Sequence, residues 1–334
     1  MFNDITDIFK INCEEDFKKV ALRVFRYQFH NNPVYKKWAS GFISSENEVT
    51  ELTHIPFLPI EFFKTQSVVC QEASNAEEAH EEKVVFTSSS TTSQVPSKHI
   101  VKDLDLYERS FINCFELFFG KAQNYCVLAL LPGYLERSGS SLVYMCKKLI
   151  ELSGHKQSGF YLRDLDELVA VINQLKASKQ RTIILGVSYA LLDLAEKNVE
   201  LNSDFTVIET GGMKGTRKEM PKEELHAELK RKLKLDTVAS EYGMTELLSQ
   251  AYALKDGQFQ NPPWLKFMIR DVNDPLSYIA PNKTGGINVI DLANVYSCSF
   301  IATQDLGQIN DKSELKLMGR YDNSDIRGCN LMLS

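Results

Sequence analysis

The heptad Ser240-Glu241-Tyr242-Gly243-Met244-Thr245-Glu246 sets an aromatic ring, a hydroxyl and a carboxylate within five residues, next to a glycine. That grouping suits a nucleotide. The ring can stack on a purine, Thr245 can hydrogen-bond a phosphate oxygen, and Glu246 can hold a hard cation such as Mg²⁺, which prefers oxygen ligands and shares them with phosphates. The same residues could also punctuate the start of a helix, Thr245 as the cap and Glu246 in the first turn.

A second polar segment lies upstream. After the apolar run Val84 to Phe86, seven hydroxyl side chains follow one another from Thr87 to Ser93, with Ser97 and Lys98 after them. Ser88, Ser89, Ser90, Thr91 and Thr92, with free backbone N–H groups, could surround a polyphosphate, and Lys98 would add a compact positive charge. A flexible Ser/Thr linker has the same composition. The segment is not a Walker loop, because the spacing Gly-x-x-x-x-Gly-Lys-Ser/Thr is absent and no glycine occurs from residue 44 to 119.

Two downstream segments add to these. Glu209-Thr210-Gly211-Gly212-Met213-Lys214-Gly215 follows the strand-like run Phe205 to Ile208, and such strand ends hold ligands in open α/β sheets. Gly211 and Gly212 would let a flat base approach the backbone. Thr303-Gln304-Asp305-Leu306-Gly307 and Gly319-Arg320-Tyr321-Asp322 then offer Asp305 and Arg320, a carboxylate and a guanidinium suited to the hydroxyls of a ribose; each could equally be an ordinary turn.

In this order, over residues 84 to 328, the pattern resembles that of the adenylate-forming (ANL) superfamily, which includes acyl- and aryl-CoA ligases, adenylation domains and luciferases. A narrower resemblance is to the acyl-protein synthetases (LuxE-type, long-chain-fatty-acid protein ligases). It is carried by Leu130-Leu131-Pro132-Gly133-Tyr134-Leu135-Glu136-Arg137-Ser138-Gly139-Ser140-Ser141-Leu142 and by Asp325-Ile326-Arg327-Gly328-Cys329-Asn330-Leu331-Met332. The resemblance implies the adenylate-forming N-terminal-domain fold and an acid–thiol ligase that uses ATP and Mg²⁺. Such an enzyme makes an acyl-AMP from a carboxylic acid, a fatty acid above all, and passes the acyl group on as a thioester. A CoA or carrier-protein ligase using an external thiol, or a nucleotide-binding partner of an acyl-reductase complex without activity of its own, are the alternatives.

The pattern is not matched throughout. Relatives that read Ser-Gly-Thr in the phosphate loop contrast with Ser89-Ser90-Thr91 here, and Ser93 stands where a glycine is usual. The chain stops fifteen residues after Gly319, so the expected architecture lacks the usual mobile C-terminal domain and its lysine. Lys98, Arg320 or Arg327 would then supply positive charge to the transition state. Cys329 matches the cysteine that carries the acyl group in acyl-protein synthetases, and the nearby Arg327 and Arg320 would favour its thiolate. A small buried residue under a C-terminal strand is the other reading of Cys329. The expected final acceptor is a partner such as an acyl reductase or a carrier protein.

Composition narrows the field. The 334 residues, 43% hydrophobic and 25% charged, can bury a large core. A net charge of −6 gives no basic surface for nucleic acid, and no apolar run reaches the ~18 residues of a membrane span. Seven cysteines without a Cys-x-x-Cys pair, and no secretion signal at Phe2 to Phe9, point to the cytoplasm. The six histidines lack metal-ligand spacing. His99 could touch a phosphate, though an exposed position is the plainer expectation.

The elements that must position these residues alternate as in α/β proteins. Helical periodicity covers Glu14 to Phe29, Ser140 to Leu152, Leu165 to Leu175, Tyr189 to Lys197 and Lys222 to Leu233; strands are expected at Val127 to Leu131, Thr182 to Val187 and Phe205 to Ile208. After Tyr252 short strands take over, at Lys266 to Asp271, Gly286 to Leu292, Phe300 to Thr303 and Leu315 to Gly319. Helix-covered sheets plus a smaller β-rich subdomain are therefore expected. The expected division is 1–200 as an N-terminal α/β subdomain with the phosphate loop, 201–318 as a nucleotide-binding subdomain, and 319–334 as a tail with the Gly-Arg motif and the acyl-accepting cysteine. Asn75 to Glu82 reads as an acidic solvated loop. Pro132 to Ser141 should line the site, with Ser140 or Ser141 capping the next helix. Phe115, Phe118, Phe119 and Trp264 could wall an acyl tunnel, but core packing accounts for them as well.

Overall fold

A computed structural model describes residues 5–71, 84–88, 95–132, 139–162, 164–211 and 220–321. Cys329, Arg327, Gly212, Ser89, Ser90, Thr91, Thr92 and the acidic stretch Asn75 to Glu82 lie outside them.

The strand Cys126–Leu130 is buried at every position, as its unbroken apolar run requires of a parallel strand covered on both faces. It sits inside a sheet of six strands in the order Gly159–Phe160, Cys126–Leu130, Thr182–Val187, Phe205–Thr210, Ala239–Tyr242, Ala251–Ala253. The first five run parallel and the last antiparallel. Helices Ser141–Ser153, Leu165–Ala177, Ser188–Ala195 and Lys222–Leu233 connect the parallel strands. Ser140 caps the first of them, accepting a hydrogen bond from Val143 N, and Gly154 ends it in the left-handed region. From Cys126–Leu130 the chain crosses to one side of the sheet, and from Thr182–Val187 to the other. The ends of these two strands thus form the crevice in which open α/β sheets hold ligands. Tyr189 bridges that crevice by donating to Pro132 O at 2.6 Å. The sheet draws strands from both sides of residue 200, so the chain makes no structural break there.

The second sheet is antiparallel, in the order Gln258–Phe259, Leu315–Arg320, Phe300–Ile309, Gly285–Asp291, Leu265–Arg270, with Leu58–Pro59 added parallel to Phe300–Ile309. Asp-Leu-Gly at 305–307 is therefore no turn. It lies within a ten-residue strand, where a register shift between Leu306 and Gly307 bends the ladder. A separate hairpin, Val84–Thr87 with Lys98–Val101, carries the hydroxyl-rich loop.

Helix Leu104–Phe119, capped by Asp103 and ended by Gly120 at φ 82°, covers the parallel sheet and was not expected from periodicity. Its aromatics are core. Phe118 and Phe119 pack on Tyr252 with ring centroids 5.3 and 5.1 Å away, and Trp264 donates to Ser110. No helix among the described residues is long and apolar enough to cross a membrane.

Candidate active site

The heptad opens no helix. Ser240 to Tyr242 end a buried strand, and the chain then turns through Gly243 toward Glu246. Three buried polar side chains hold that turn. His99, in the hairpin strand Lys98–Val101, donates from Nδ1 to Thr245 O at 2.7 Å. Asn294 donates to Glu246 O at 2.8 Å, and Asp291 accepts from Leu248 N at 2.7 Å and Ser249 N at 3.0 Å. The backbone carrying Thr245 and Glu246 is thus fixed from both sheets and from the hairpin.

His99 is 1% exposed, which overturns the expectation of an exposed position. Its Nε2 lies 3.0 Å from Asn294 Oδ1, and Asn294 cannot flip because its amide nitrogen already serves Glu246 O and Cys298 O. Two acceptors favour the imidazolium, but burial outweighs them and pushes His99 down to about 4.

The hydroxyl loop meets the heptad here. Ser88 and Ser97 close the loop at its base: Ser88 N donates to Ser97 O at 3.1 Å, and Ser97 N donates to Ser88 Oγ at 2.9 Å. Ser97 comes close enough to Glu246, which is 4% exposed, to help hold its carboxyl charged. Burial raises the Glu246 carboxyl above its ordinary range, while Ser97 and the charges of Arg320 and Lys64 pull it back. Lys98 is exposed at the start of its strand and makes no ion pair among the described residues. Gly139 docks on the loop entry, its O accepting from Thr87 N at 2.7 Å; at φ 87°, with Thr87 Oγ1 3.0 Å from where a Cβ would lie, the position favours glycine.

Asp305 and Arg320 face each other across adjacent strands. Arg320 Nε donates to Asp305 Oδ1 at 2.8 Å, and Tyr242 OH donates to Oδ2 at 2.8 Å. The Asp305 charge raises Arg320 further above its already high range. The Tyr242 ring is 8% exposed and packs against Phe259 and Phe267. Gly211 follows the strand Phe205–Thr210 at φ 69° and accepts from Ser188 Oγ at 3.2 Å. Behind it, buried Glu209 accepts from Ser188 Oγ at 2.7 Å and Ser240 Oγ at 3.2 Å, with Lys222 Nζ at 3.0 Å and His226 Nε2 at 3.8 Å. These partners outweigh burial and hold its carboxyl below the ordinary range.

Among the described residues, His99 and Asn294 tie Thr245 and Glu246 to the hairpin and to the end of the antiparallel sheet, Ser97 joins Ser88, and Asp305 joins Tyr242 and Arg320; Lys98 shares the hairpin strand with His99, and Asn294 is a residue that the sequence did not single out. Among the described residues no group of three His, Cys, Asp or Glu side chains could hold a metal. A single carboxylate, Glu246, fits the role of one protein ligand to a Mg²⁺ whose remaining oxygens come from phosphate and water.

Residues 8–334 match the family model described as acyl-protein synthetase, LuxE. No curated protein matches. Among solved structures the chain is similar to 2-hydroxyisobutyryl-CoA ligase in complex with 2-HIB-AMP and CoA (TM-score 0.67, 11% identity, 93% of this chain and 70% of that one). It is also similar to ATP-bound MatB from Rhodopseudomonas palustris (0.53, 15%, 71% and 47%). A third is O-succinylbenzoate coenzyme A synthetase, MenE, from Bacillus subtilis with AMP (0.50, 20%, 72% and 49%). The chain spans about half the length of the MatB structures and 70% of the hydroxyisobutyryl-CoA ligase.

Proposed function

The chain belongs to the LuxE acyl-protein synthetase family and has the fold of the adenylate-forming enzymes, and we propose on that premise that it activates a carboxylic acid with ATP and passes the acyl group to Cys329 and on to a partner protein. The observation that carries the reading is the junction of the hairpin that bears the hydroxyl-rich segment with the heptad, through His99 to Thr245.

A carboxylate oxygen of the acid attacks the α-phosphorus of ATP, the α–β phosphoanhydride bond breaks, and pyrophosphate leaves. Lys98 and the loop hydroxyls Ser88, Ser89, Ser90, Thr91 and Thr92 would neutralise and orient the phosphates as charge shifts onto pyrophosphate. A Mg²⁺ held by Glu246 would screen the same charge. Asp305 orients the ribose, with Tyr242 and Arg320 fixing its carboxylate, and Gly211 and Gly212 would let the base approach the backbone. The Cys329 thiolate, favoured by Arg327, then attacks the acyl carbon; the acyl–phosphate bond breaks and AMP departs as a stable phosphate monoester. An acyl reductase or carrier protein would accept the acyl group last.

ATP–pyrophosphate exchange against a panel of fatty and aromatic acids tests the first step, and intact mass of wild type and Cys329→Ser tests the second. Acid-dependent exchange with an acyl mass shift in wild type alone is expected. Exchange without the shift points to an external thiol such as coenzyme A, which the complex of the hydroxyisobutyryl-CoA ligase makes the nearest rival. Lys98→Ala and Glu246→Ala should each lower exchange by about a hundredfold or more; normal exchange in both would remove the site assignment.

A further inference from the structure

Glu241 precedes Tyr242 but takes no part in the nucleotide contacts. Its side chain leaves the opposite face of its strand, where one carboxylate oxygen accepts from Thr210 Oγ1. A methyl at Gly243 would lie 2.5 Å from the other oxygen, Oε1, so glycine there is what gives that oxygen room. Tyr252 stands directly opposite Glu241 in the neighbouring strand, and Gln250 lies beside Gly243, its Cγ 3.5 Å from the same added methyl. All three side chains therefore share one face of the sheet.

That face holds an unusual accumulation of unanswered polar atoms. Gln250 Oε1 and Tyr252 OH, on residues 5% and 0% exposed, have no hydrogen-bond partner among the described residues. Such atoms are rare in folded proteins and ask for a water or a ligand atom. The surroundings are otherwise apolar. Phe118 and Phe119 flank Tyr252, and Cys114 binds the Gln250 backbone. Tyr107 and Cys146, from the two covering helices, come close enough for the Glu241 charge to oppose their ionisation. Tyr107 OH in turn reaches Ser141 O, at the start of the helix that follows Pro132 to Ser140. The cluster thus sits toward the carboxyl end of the parallel sheet, next to Tyr242 and beside the start of helix Ser141–Ser153.

We propose that Glu241, Gln250 and Tyr252 form a polar subsite for the tail of the acid, and that the acid carries a hydroxyl or amino group that donates to it. This rests on the acid-activating function proposed above. Of the two orphaned atoms, Gln250 Oε1 is an acceptor and Tyr252 OH can take either role, so a donor on the ligand can answer both. A plain hydrocarbon chain would leave Gln250 Oε1 and Tyr252 OH unpaired. A substrate hydroxyl or ammonium would satisfy them, and sites built to bond such a group reject the analogue that lacks it far more strongly than an apolar pocket rejects a missing methylene.

The experiment compares ATP–pyrophosphate exchange with matched acids on the full chain: octanoate against 8-hydroxy- and 8-aminooctanoate, and benzoate against 4-hydroxy- and 4-aminobenzoate. In at least one series a substituted acid should exceed its parent about tenfold or more in kcat/KM, and the hydroxy and amino arms identify the donor. Glu241→Met and Gln250→Met should erase or invert that preference. Equal kcat/KM for parent and substituted acids, or a preference that survives both substitutions, overturns the subsite. Should no acid support exchange, the acid-activating function fails, and thermal shift with the same acids still reads the subsite. A larger shift with the substituted acids sustains it, and equal shifts overturn it.

Discussion

Asp305 shows how a residue can be paired and still have bonds to give. Arg320 and Tyr242 each use one lone pair of its carboxylate, and an ionised carboxylate offers about four such positions. One remains on each oxygen, so two ribose hydroxyls could bind without breaking the Arg320 pair. Asp305→Asn replaces one acceptor oxygen with a donor and removes the charge. Hydrogen bonds to charged groups contribute about 1.5–3 kcal/mol, so KM for ATP should rise roughly 10–100-fold, with kcat changed far less because ribose contacts are present before and during the reaction. Tyr242→Phe removes only a second-hand support and should cost less than tenfold. Steady-state kinetics in ATP checks both, and a larger effect from Tyr242→Phe would remove Asp305 from the ribose role.

The hairpin strand Lys98–Val101 is held to the heptad through His99, and this element is where stability and site geometry meet. Removing the imidazole leaves Thr245 O unanswered, at about 1–3 kcal/mol. The ring also gives the staple a pH dependence. Its folded value of about 4 lies below the ordinary 6.5, so the unfolded chain binds the proton more tightly and stability is lost as pH falls from about 6.5 to 4. Glu241 acts in the opposite sense: burial raises it to about 7 from 4.5, so its contribution improves as pH falls through 7 toward 4.5. Only a comparison isolates the histidine. Urea unfolding of wild type and His99→Gln at pH 7.5 and 5.0 should show the wild type losing part of its advantage at the lower pH, and a constant difference would mean that His99 titrates alike in both states. The hairpin strand was not among the expected elements, whereas helix Lys222–Leu233 and strand Thr182–Val187 could be read from their periodicity. Burial of His99 could not, because its partners lie 146 and 195 residues away. Nor could helix Leu104–Phe119, whose cap and stop, Asp103 and Gly120, are ordinary signals but whose aromatics favour strands. The heptad, the hydroxyl loop, Asp305 and Arg320 were legible because each concentrates polar chemistry in a few consecutive residues. Asn294 acts singly and becomes visible only when the sheets are assembled.

At the scale of the whole molecule, the candidate site belongs to no single layer. Tyr242, Thr245 and Glu246 leave the end of the parallel sheet, Asp305 and Arg320 belong to the antiparallel sheet, and Ser88, Ser97 and Lys98 to the hairpin. A nucleotide bound across all three would therefore oppose their separation and stabilise the chain as a unit. Ligand at a hundred times Kd adds about 2.7 kcal/mol. For 334 residues, an unfolding entropy of about 2.1 cal/mol/K per residue gives roughly 0.7 kcal/mol/K, so Tm should rise by about 4 °C if the layers unfold together. The same ATP concentration should give Asp305→Asn a rise of half that or less, since a 10–100-fold weaker Kd brings the ligand to between one and ten times Kd. Calorimetry distinguishes the alternatives. A single transition that shifts with ATP places the nucleotide across the layers, whereas two transitions of which only one moves would confine it to one sheet and separate the hydroxyl loop or the Asp305–Arg320 pair from the site.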